Sequence, residues 1–289
     1  MKSITKTKLK KLLKNKTVLV TGGAGSIGSE VTKNILSFPV KSVRVLDIDE
    51  HALFQLRRVI KDSRLRLLLG SILDKDRLDL ASNGVDIIIH TAAIKNIEIS
   101  EYNPIETIDT NINGTVNLIK MVIKNKPKIF LNISTDKAVN PSTLYGSTKQ
   151  LSEKLVGWAG NHIPSTKFST IRFGNVFESR GNVFEIWEEE KKNNKPLSVT
   201  DPKMKRYFIH IHDVVDFIFE CMLISKKGLI FVPKMKSYKI KDIVSKISSK
   251  QKIIGIRSGE KIEETLLSDQ ERKKATERRN MWIIESFDS

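Results

Sequence analysis

The chain has one cysteine in 289 residues, Cys221, and that scarcity excludes an internal disulfide. Its setting, Phe217-Ile218-Phe219-Glu220-Cys221-Met222-Leu223, reads as core and not as the niche of a nucleophile. No run of 18 apolar residues occurs, so no integral membrane segment is expected. The N-terminus lacks the apolar stretch and cleavage site of an exported chain, so a soluble, cytoplasmic protein is the expectation. Repeats and low-complexity linkers are missing too, which argues against two freely moving domains. Acidic residues are short, 33 against 50 basic, for a formal charge of +17. Zinc-finger spacing, RNA-binding aromatic signatures and Arg-rich helices are all missing, so the excess is not read as a nucleic-acid footprint. A positive field also suits a site for anionic nucleotides. The most basic stretch, Lys6 to Lys16, is read as a solvated arm, with a lipid-touching amphipathic helix as the alternative. His210-Ile211-His212-Asp213 has no distant partner pair, so no metal is expected.

What is present is a full core, 39% apolar, and a regular alternation of apolar runs with helical patterns. Strands are predicted at Thr17–Val20, Val43–Leu46, Leu65–Leu69, Val85–His90, Ile129–Ile133 and Ser169–Phe173. Helical patterns lie between them, notably over Pro104–Lys124 and Thr148–Trp158. Strands this apolar have no wet face, which implies a parallel sheet covered on both sides: an α/β, doubly wound Rossmann fold. Residues 1–173 are read as the dinucleotide-binding domain. After Arg172 the rhythm breaks, and 174–289 are read mainly as a smaller substrate-binding lobe, partly interleaved with the first.

Thr21-Gly22-Gly23-Ala24-Gly25-Ser26-Ile27-Gly28 follows the first strand. Gly22, Gly25 and Gly28 allow a tight turn and close approach, and a helix opening near Ser26 and Ile27 turns its amides toward an anion such as a pyrophosphate. Asp47 follows about twenty residues later at a strand end, where a carboxylate accepts from a ribose 2′-hydroxyl and repels a 2′-phosphate. NAD is therefore expected, with NADP the alternative. Thr91-Ala92-Ala93 and Ser134-Thr135-Asp136 also fall at carboxyl ends of strands, where ligands of such sheets bind.

Tyr145 and Lys149 are four apart and share one face of a helix. An ammonium beside a phenol favours the phenolate, which predicts a Tyr145 pKa brought down toward a useful range. With Thr135 holding the same hydroxyl and a nicotinamide accepting hydride, this is an alcohol-oxidising site.

Taken in order, these segments resemble the extended short-chain dehydrogenase/reductases. Within them they resemble the UDP-N-acetylglucosamine 4,6-dehydratases of the polysaccharide biosynthesis protein family, the C5-inverting kind that starts pseudaminic acid. The likeness runs from about Lys16 to Ile284. It rests on TGGAGSIGS, AAIKNIEISEYNPIETIDTNINGTVN (92–117), STDKAVNPSTLYGSTK (134–149), RFGNVFESRGNV (172–183), VTDPKMKRYF (199–208), IFVPKMKS (230–237) and IGIRSGEKIEE (254–264). The resemblance implies that Lys137 is the base at C5 and Asp136 the acid that protonates the departing C6 hydroxyl. Lys137 would have to be neutral and Asp136 protonated. It implies substrate contacts for Lys95, Asn175, Arg180, Arg206, Arg257 and Glu260, an adenine contact for Ser71 and Ile72, a place for Ala92 and Ala93 beside the cofactor, and a bracing role for Asn111. It also implies UDP-N-acetylglucosamine as substrate, a tightly bound, recycled cofactor and a homo-oligomer, dimer or hexamer. The chain departs from the family at Ser71 (usually Asp), Asn96 (His), Glu98 (Pro), Glu178 (Gly), Ser258 (Pro) and Glu263 (His). A 4-epimerase would use Tyr145 and NAD without Asp136 and Lys137, and an idle nucleotide-binding protein would need none of the four catalytic side chains.

Overall fold

The computed structural model describes residues 3–257 and 259–285; the departure at Ser258 lies outside them. The first half alternates as the apolar runs require: α1 (Ser3–Leu13), β1 (Thr17–Thr21), α2 (Ser26–Leu36), β2 (Ser42–Asp47), α3 (Glu50–Val59), β3 (Leu65–Leu69), α4 (Lys75–Ser82) and β4 (Ile87–His90). Then come α5 (Ile97–Tyr102), α6 (Pro104–Ile108), a π turn at Asp109–Asn113, α7 (Gly114–Asn125), β5 (Ile129–Thr135), a 3-10 turn at Asp136–Ala138, α8 (Leu144–His162) and β6 (Lys167–Phe173). The remainder is β7 (Asn175–Val176), α9 (Val183–Lys192), β8 (Leu197–Val199), β9 (Lys205–Ile209), α10 (Ile211–Ile224), β10 (Leu229–Pro233), β11 (Lys236–Lys239), α11 (Ile240–Ile247), β12 (Gln251–Ile253), α12 (Asp269–Lys274), β13 (Thr276–Glu277) and β14 (Met281–Glu285).

Among the described residues nine strands form the main sheet, in the order β13-β14-β10-β6-β5-β4-β1-β2-β3. The run from β10 to β3 is parallel, and β14 and β13 close the edge antiparallel. The expected doubly wound fold is therefore the fold observed. Chain order reverses between β1 and β4, so a crevice opens at their carboxyl ends, over the glycine turn. β1 and β5 are buried at every residue, as strands covered on both faces must be, while β3 at the edge is only partly covered. The lobe is built on two smaller sheets, β11-β9-β7 and β12-β8, around Trp187, Leu197, Val199, Phe208 and Val244. The segment past residue 173 thus supplies the lobe and, through β10, β13 and β14, a third of the main sheet.

The basic N-terminal stretch is not a solvated arm. Its residues up to Leu13 lie in α1, with Leu9 and Leu13 fully buried in the main core and α1 packed on α10. The four-residue spacing of the two leucines puts both on one face while the lysines take the other, and burying each leucine contributes about 1.5–3 kcal/mol. Cys221 is buried on α10, and burial pushes its thiol well up, away from the nucleophilic form. None of the described helices is long and apolar enough to cross a membrane.

Candidate active site

The turn after β1 is shaped by what a Cβ would hit. Gly22 has φ +64°, and a Cβ there would stand 2.6 Å from the Ala92 backbone. At Gly28 a Cβ would stand 2.5 Å from the Gly22 carbonyl oxygen, so α2 can approach the turn only because that residue is glycine. The helix opens at Gly25 with no side chain on its first amides, leaving them to an anion. Asp47, at the end of β2, accepts from the amide of Ala24 at 2.9 Å and from that of Asp49 at 3.1 Å. It therefore stands against the turn as a ribose-binding carboxylate should, and the cradle fits an NAD-type dinucleotide. Ser71 and Ile72 follow β3 in the neighbouring position: Ser71 Oγ accepts from the Leu73 amide at 3.1 Å, and Ile72 is buried. Thr91 donates to the Thr21 carbonyl at 2.7 Å, which fixes the strand end from which Ala92 and Ala93 run past the turn.

Beside the turn a cavity of about 950 Å³ brings together Thr135, Lys137, Tyr145 and Lys149 with Ile27, Ala93, Lys95, Asn175, Arg206, Arg257 and Glu260. Asp136 is fully buried against its wall. Its Oδ1 accepts from the Thr135 hydroxyl at 3.0 Å and from Lys137 Nζ at 3.1 Å, while Oδ2 has no hydrogen-bond partner among the described residues. Thr143 caps α8 by accepting from the Gly146 amide at 3.1 Å, and this starts the helix so that Tyr145 and Lys149 face the cavity. Burial pushes the Tyr145 phenol well up; a hydrogen bond from Thr135 pulls it down and the Asp136 charge adds to the rise. Burial also pushes Lys149 down to about 8, against the opposing pull of Glu153. The downward shift expected for Tyr145 from its spacing to Lys149 is thus reversed in the protein alone, because burial disfavours the charged form of both groups.

Lys149 sits above a buried charge chain. Arg172 on β6 donates to Glu153 of α8 at 2.9 and 2.6 Å, to Glu271 at 3.0 and 2.8 Å, and to the Leu266 carbonyl at 3.0 Å. Burial lowers the Arg172 pKa, but the two carboxylates more than reverse it. The helix carrying Tyr145 and Lys149 is thereby fastened to the sheet and to α12. Asn111, in the π turn, exchanges hydrogen bonds with Ile94 (2.8 and 3.0 Å) and donates to Thr148 at 3.0 Å, a bracing and not a ligand-facing position. His90 is buried between Thr21 (2.8 Å) and Thr115 (3.2 Å); burial, with the Lys149 charge, holds it at about 3, a neutral strut.

The substrate candidates divide. Arg180 lies outside the cavity lining: its amide donates to Ser26 Oγ at 2.9 Å and its guanidinium donates to the Ala24 carbonyl, so it laces the lobe to the glycine turn. Lys95 Nζ donates to the Arg180 carbonyl at 2.8 Å, and burial lowers its pKa against Glu185. Asn175 donates to the Tyr207 carbonyl (3.1 Å) and Arg206 to those of Lys205 (3.0 Å) and Ile262 (3.2 Å). The Glu260 carboxylate accepts from the Arg257 amide at 3.2 Å.

The departures have local work. Asn96 caps α5, Glu98 pairs with Arg257 at 3.2 Å, and Glu263 pairs with Lys205 at 3.2 Å. Glu178 accepts from the Ile211 amide at 2.9 Å and meets His210 Nδ1 at 2.6 Å, which gives His210 a carboxylate partner.

Among the cavity residues that the sequence did not single out is Glu264, buried beside Lys137. The signal was the Glu263-Glu264 pair. Glu263 bridges to β9, and in an extended segment the next side chain points the opposite way, inward.

The polysaccharide biosynthesis protein family model matches residues 18–286. An uncharacterized membrane protein of Methanocaldococcus jannaschii is 40% identical over 94% of this chain and 86% of its own length. A UDP-N-acetylglucosamine 4,6-dehydratase (inverting) of Campylobacter jejuni is 37% identical over 94% of this chain and 84% of its own. A UDP-glucose 4-epimerase of Rickettsia bellii is 34% identical over 93% and 83%. Among solved structures, Pen from Bacillus thuringiensis superposes with TM-score 0.90 at 35% identity, covering 94% of this chain and 88% of that one. A dTDP-glucose 4,6-dehydratase from Streptomyces venezuelae with NAD and TYD bound superposes at 0.80 with 22% identity, covering 89% and 90%, a likeness of fold.

Proposed function

The chain belongs to the polysaccharide biosynthesis protein family, and on that premise we propose that it is a UDP-N-acetylglucosamine 4,6-dehydratase of the C5-inverting kind. The observation that carries the reading is the buried Asp136 with Lys137 3.1 Å from it, next to Thr135 in the cavity that Tyr145 lines. A plain epimerase needs Tyr145 and a cofactor but has no use for a buried acid and an amine at the sugar's far end.

Tyr145 takes the proton of the C4 hydroxyl, which Thr135 holds by a second hydrogen bond. The glycine turn and Asp47 would hold NAD, which would supply the hydride acceptor for C4 and the hydride for C6. With C4 a ketone, the C5 proton is acidic and neutral Lys137 removes it. Asp136 protonates the C6 hydroxyl as it leaves as water. Lys137 becomes an ammonium as Asp136 becomes a carboxylate, so the step creates a pair of opposite charges in contact and no net charge in the buried site. Reprotonation at C5, with a hydride supplied at C6, would complete the 4-hexulose. Arg206 and Arg257 supply fixed positive charge for the diphosphate and Glu260 a carboxylate for ribose hydroxyls. Asp47 favours NAD over NADP.

Proton NMR of UDP-N-acetylglucosamine incubated in D2O with the purified protein and no added cofactor tests this. The expected result is a new C6 methyl signal with deuterium at C5. The second reading, a 4-epimerase, is favoured by the Rickettsia relative; it predicts a new UDP-N-acetylgalactosamine anomeric signal and no methyl. No change after NAD addition overturns both.

A further inference from the structure

Glu264 is 5% exposed and belongs to none of the groups assigned above. Its Oε1 lies 3.9 Å from Lys137 Nζ and its Oε2 lies 3.7 Å from Lys261 Nζ, while Oε2 makes no hydrogen bond among the described residues. Lys261 in turn donates to the Val139 carbonyl at 2.8 Å, just past the turn that holds Asp136 and Lys137. The amine of Lys137 therefore has two buried carboxyl groups beside it, bonded to Asp136 at 3.1 Å and within ion-pair range of Glu264, but too far from the latter for a hydrogen bond.

A carboxylate taken out of water is costly unless paired. Here the pairing is asymmetric: one partner is a brace, and the other is the side chain that must change charge during the reaction. We propose that Glu264 is a positioning residue for Lys137, acting in the elimination half of the reaction only; this rests on the dehydratase reading. When the Lys137 lone pair takes the C5 proton, the C5–H bond breaks, an N–H bond forms and the amine becomes an ammonium. The freed electron pair forms the C5=C6 double bond as the C6–O bond breaks, and Asp136 passes its proton to the C6 oxygen, which leaves as water. Glu264 exchanges no proton with the substrate. Its carboxylate lies within ion-pair range of the new ammonium and gives Lys137 a second buried partner beside Asp136. The hydride transfer at C4 uses Tyr145 and Thr135 and does not involve Glu264.

The test uses Glu264→Gln and Glu264→Asp in the holoenzyme, with two readouts on one substrate, UDP-N-acetylglucosamine: appearance of the C6 methyl by NMR, and the 340 nm absorbance of resident cofactor on mixing. For Glu264→Gln the methyl rate is expected to fall by about 30-fold or more, within the usual range for loss of support to an acid–base group. The 340 nm amplitude should rise, because hydride leaves C4 and is not returned. Glu264→Asp should recover part of the methyl rate. A methyl rate within about twofold of wild type overturns the proposal. So does a parallel loss of both signals, the mark of a purely structural brace; if the Gln variant fails to fold, the same ratio in the Asp variant decides. Wild type that forms no methyl at all removes the dehydratase reading, and this proposal with it, before any variant is scored.

Discussion

At the glycine turn the closest contacts are largely backbone to backbone: Gly22 lies against Ala92 and Gly28 against the Gly22 carbonyl, with the Asp47 carboxylate and the Thr91 hydroxyl reaching in from strand ends. Across the cavity, the charged part of the lobe wall is Arg206, Arg257 and Glu260, set among apolar side chains such as Trp187, Val199 and Phe208; Arg257 pairs with Glu98 and Glu260 accepts from the Arg257 amide. The first wall depends on atoms that are missing from glycine and has no tolerance, since filling those gaps needs the sheet to move. The second depends on pairs that water screens, each worth little alone, and can change residue without changing fold. Of the residues expected to depart from the family pattern, Glu98 lines the cavity and pairs with Arg257, while Glu178 and Glu263 lie outside its lining, and each has a local partner.

The contrast can be broken most severely at Gly28. Gly28→Ala should yield protein stripped of resident dinucleotide, read from the absorbance of the denatured supernatant; retention at wild-type levels would mean that the turn is not the cofactor cradle. Next is Lys137→Ala, expected to cut methyl product by about 10³-fold while resident cofactor is still reduced by substrate. Equal loss of both would remove the division of labour between Tyr145 and Lys137. Arg172→Met leaves buried Glu153 without its guanidinium and should cost about 3–5 kcal/mol, read as a fall in the denaturant midpoint at unchanged slope. Arg257→Ala, on the lobe wall, should raise KM by about 10-fold with kcat within about twofold, as loss of uniform binding does.

The smallest effect sharpens the comparison through pH. Lys149 titrates at about 8 in the folded protein, below its ordinary value of 10.5. The unfolded chain therefore binds more protons between those values, and the buried amine costs least once it is neutral. Folding stability of wild type relative to Lys149→Met should rise from pH 8 to pH 10.5 and stay level below pH 8. Thermal melts at pH 7, 9 and 10 check the sign.

Most of the sheet was legible because a strand covered on both faces must be apolar throughout, and Leu65–Leu69 was bounded to the residue. The N-terminal segment was misread because the lysines of Lys6–Lys16 make it look solvated although Leu9, Leu12 and Leu13 are apolar; the surface that α10 offers them is not a local property. Glu264 was hidden for a related reason. Two adjacent glutamates are equivalent on paper, and only the bridge between Lys205 and Glu263 sends one outward and the other toward Lys137. Tyr145 and Lys149 were found from their spacing, but the direction of the Tyr145 shift was not. Burial depends on what covers the helix, and here it outweighs the neighbouring charge.

From its residues alone, this chain determined a doubly wound sheet, a glycine cradle with its carboxylate and a helix bearing Tyr145 and Lys149. Each follows from short-range sterics or periodicity, which act within a few residues. The tertiary structure decided which charges are buried together: Glu153 with Arg172 and Glu271, Asp136 with Lys137, and Lys137 with Glu264. Those pairings join residues as much as 127 positions apart, as Lys137 and Glu264 are, and the cost of removing charge from water appears only once the chain has closed around it.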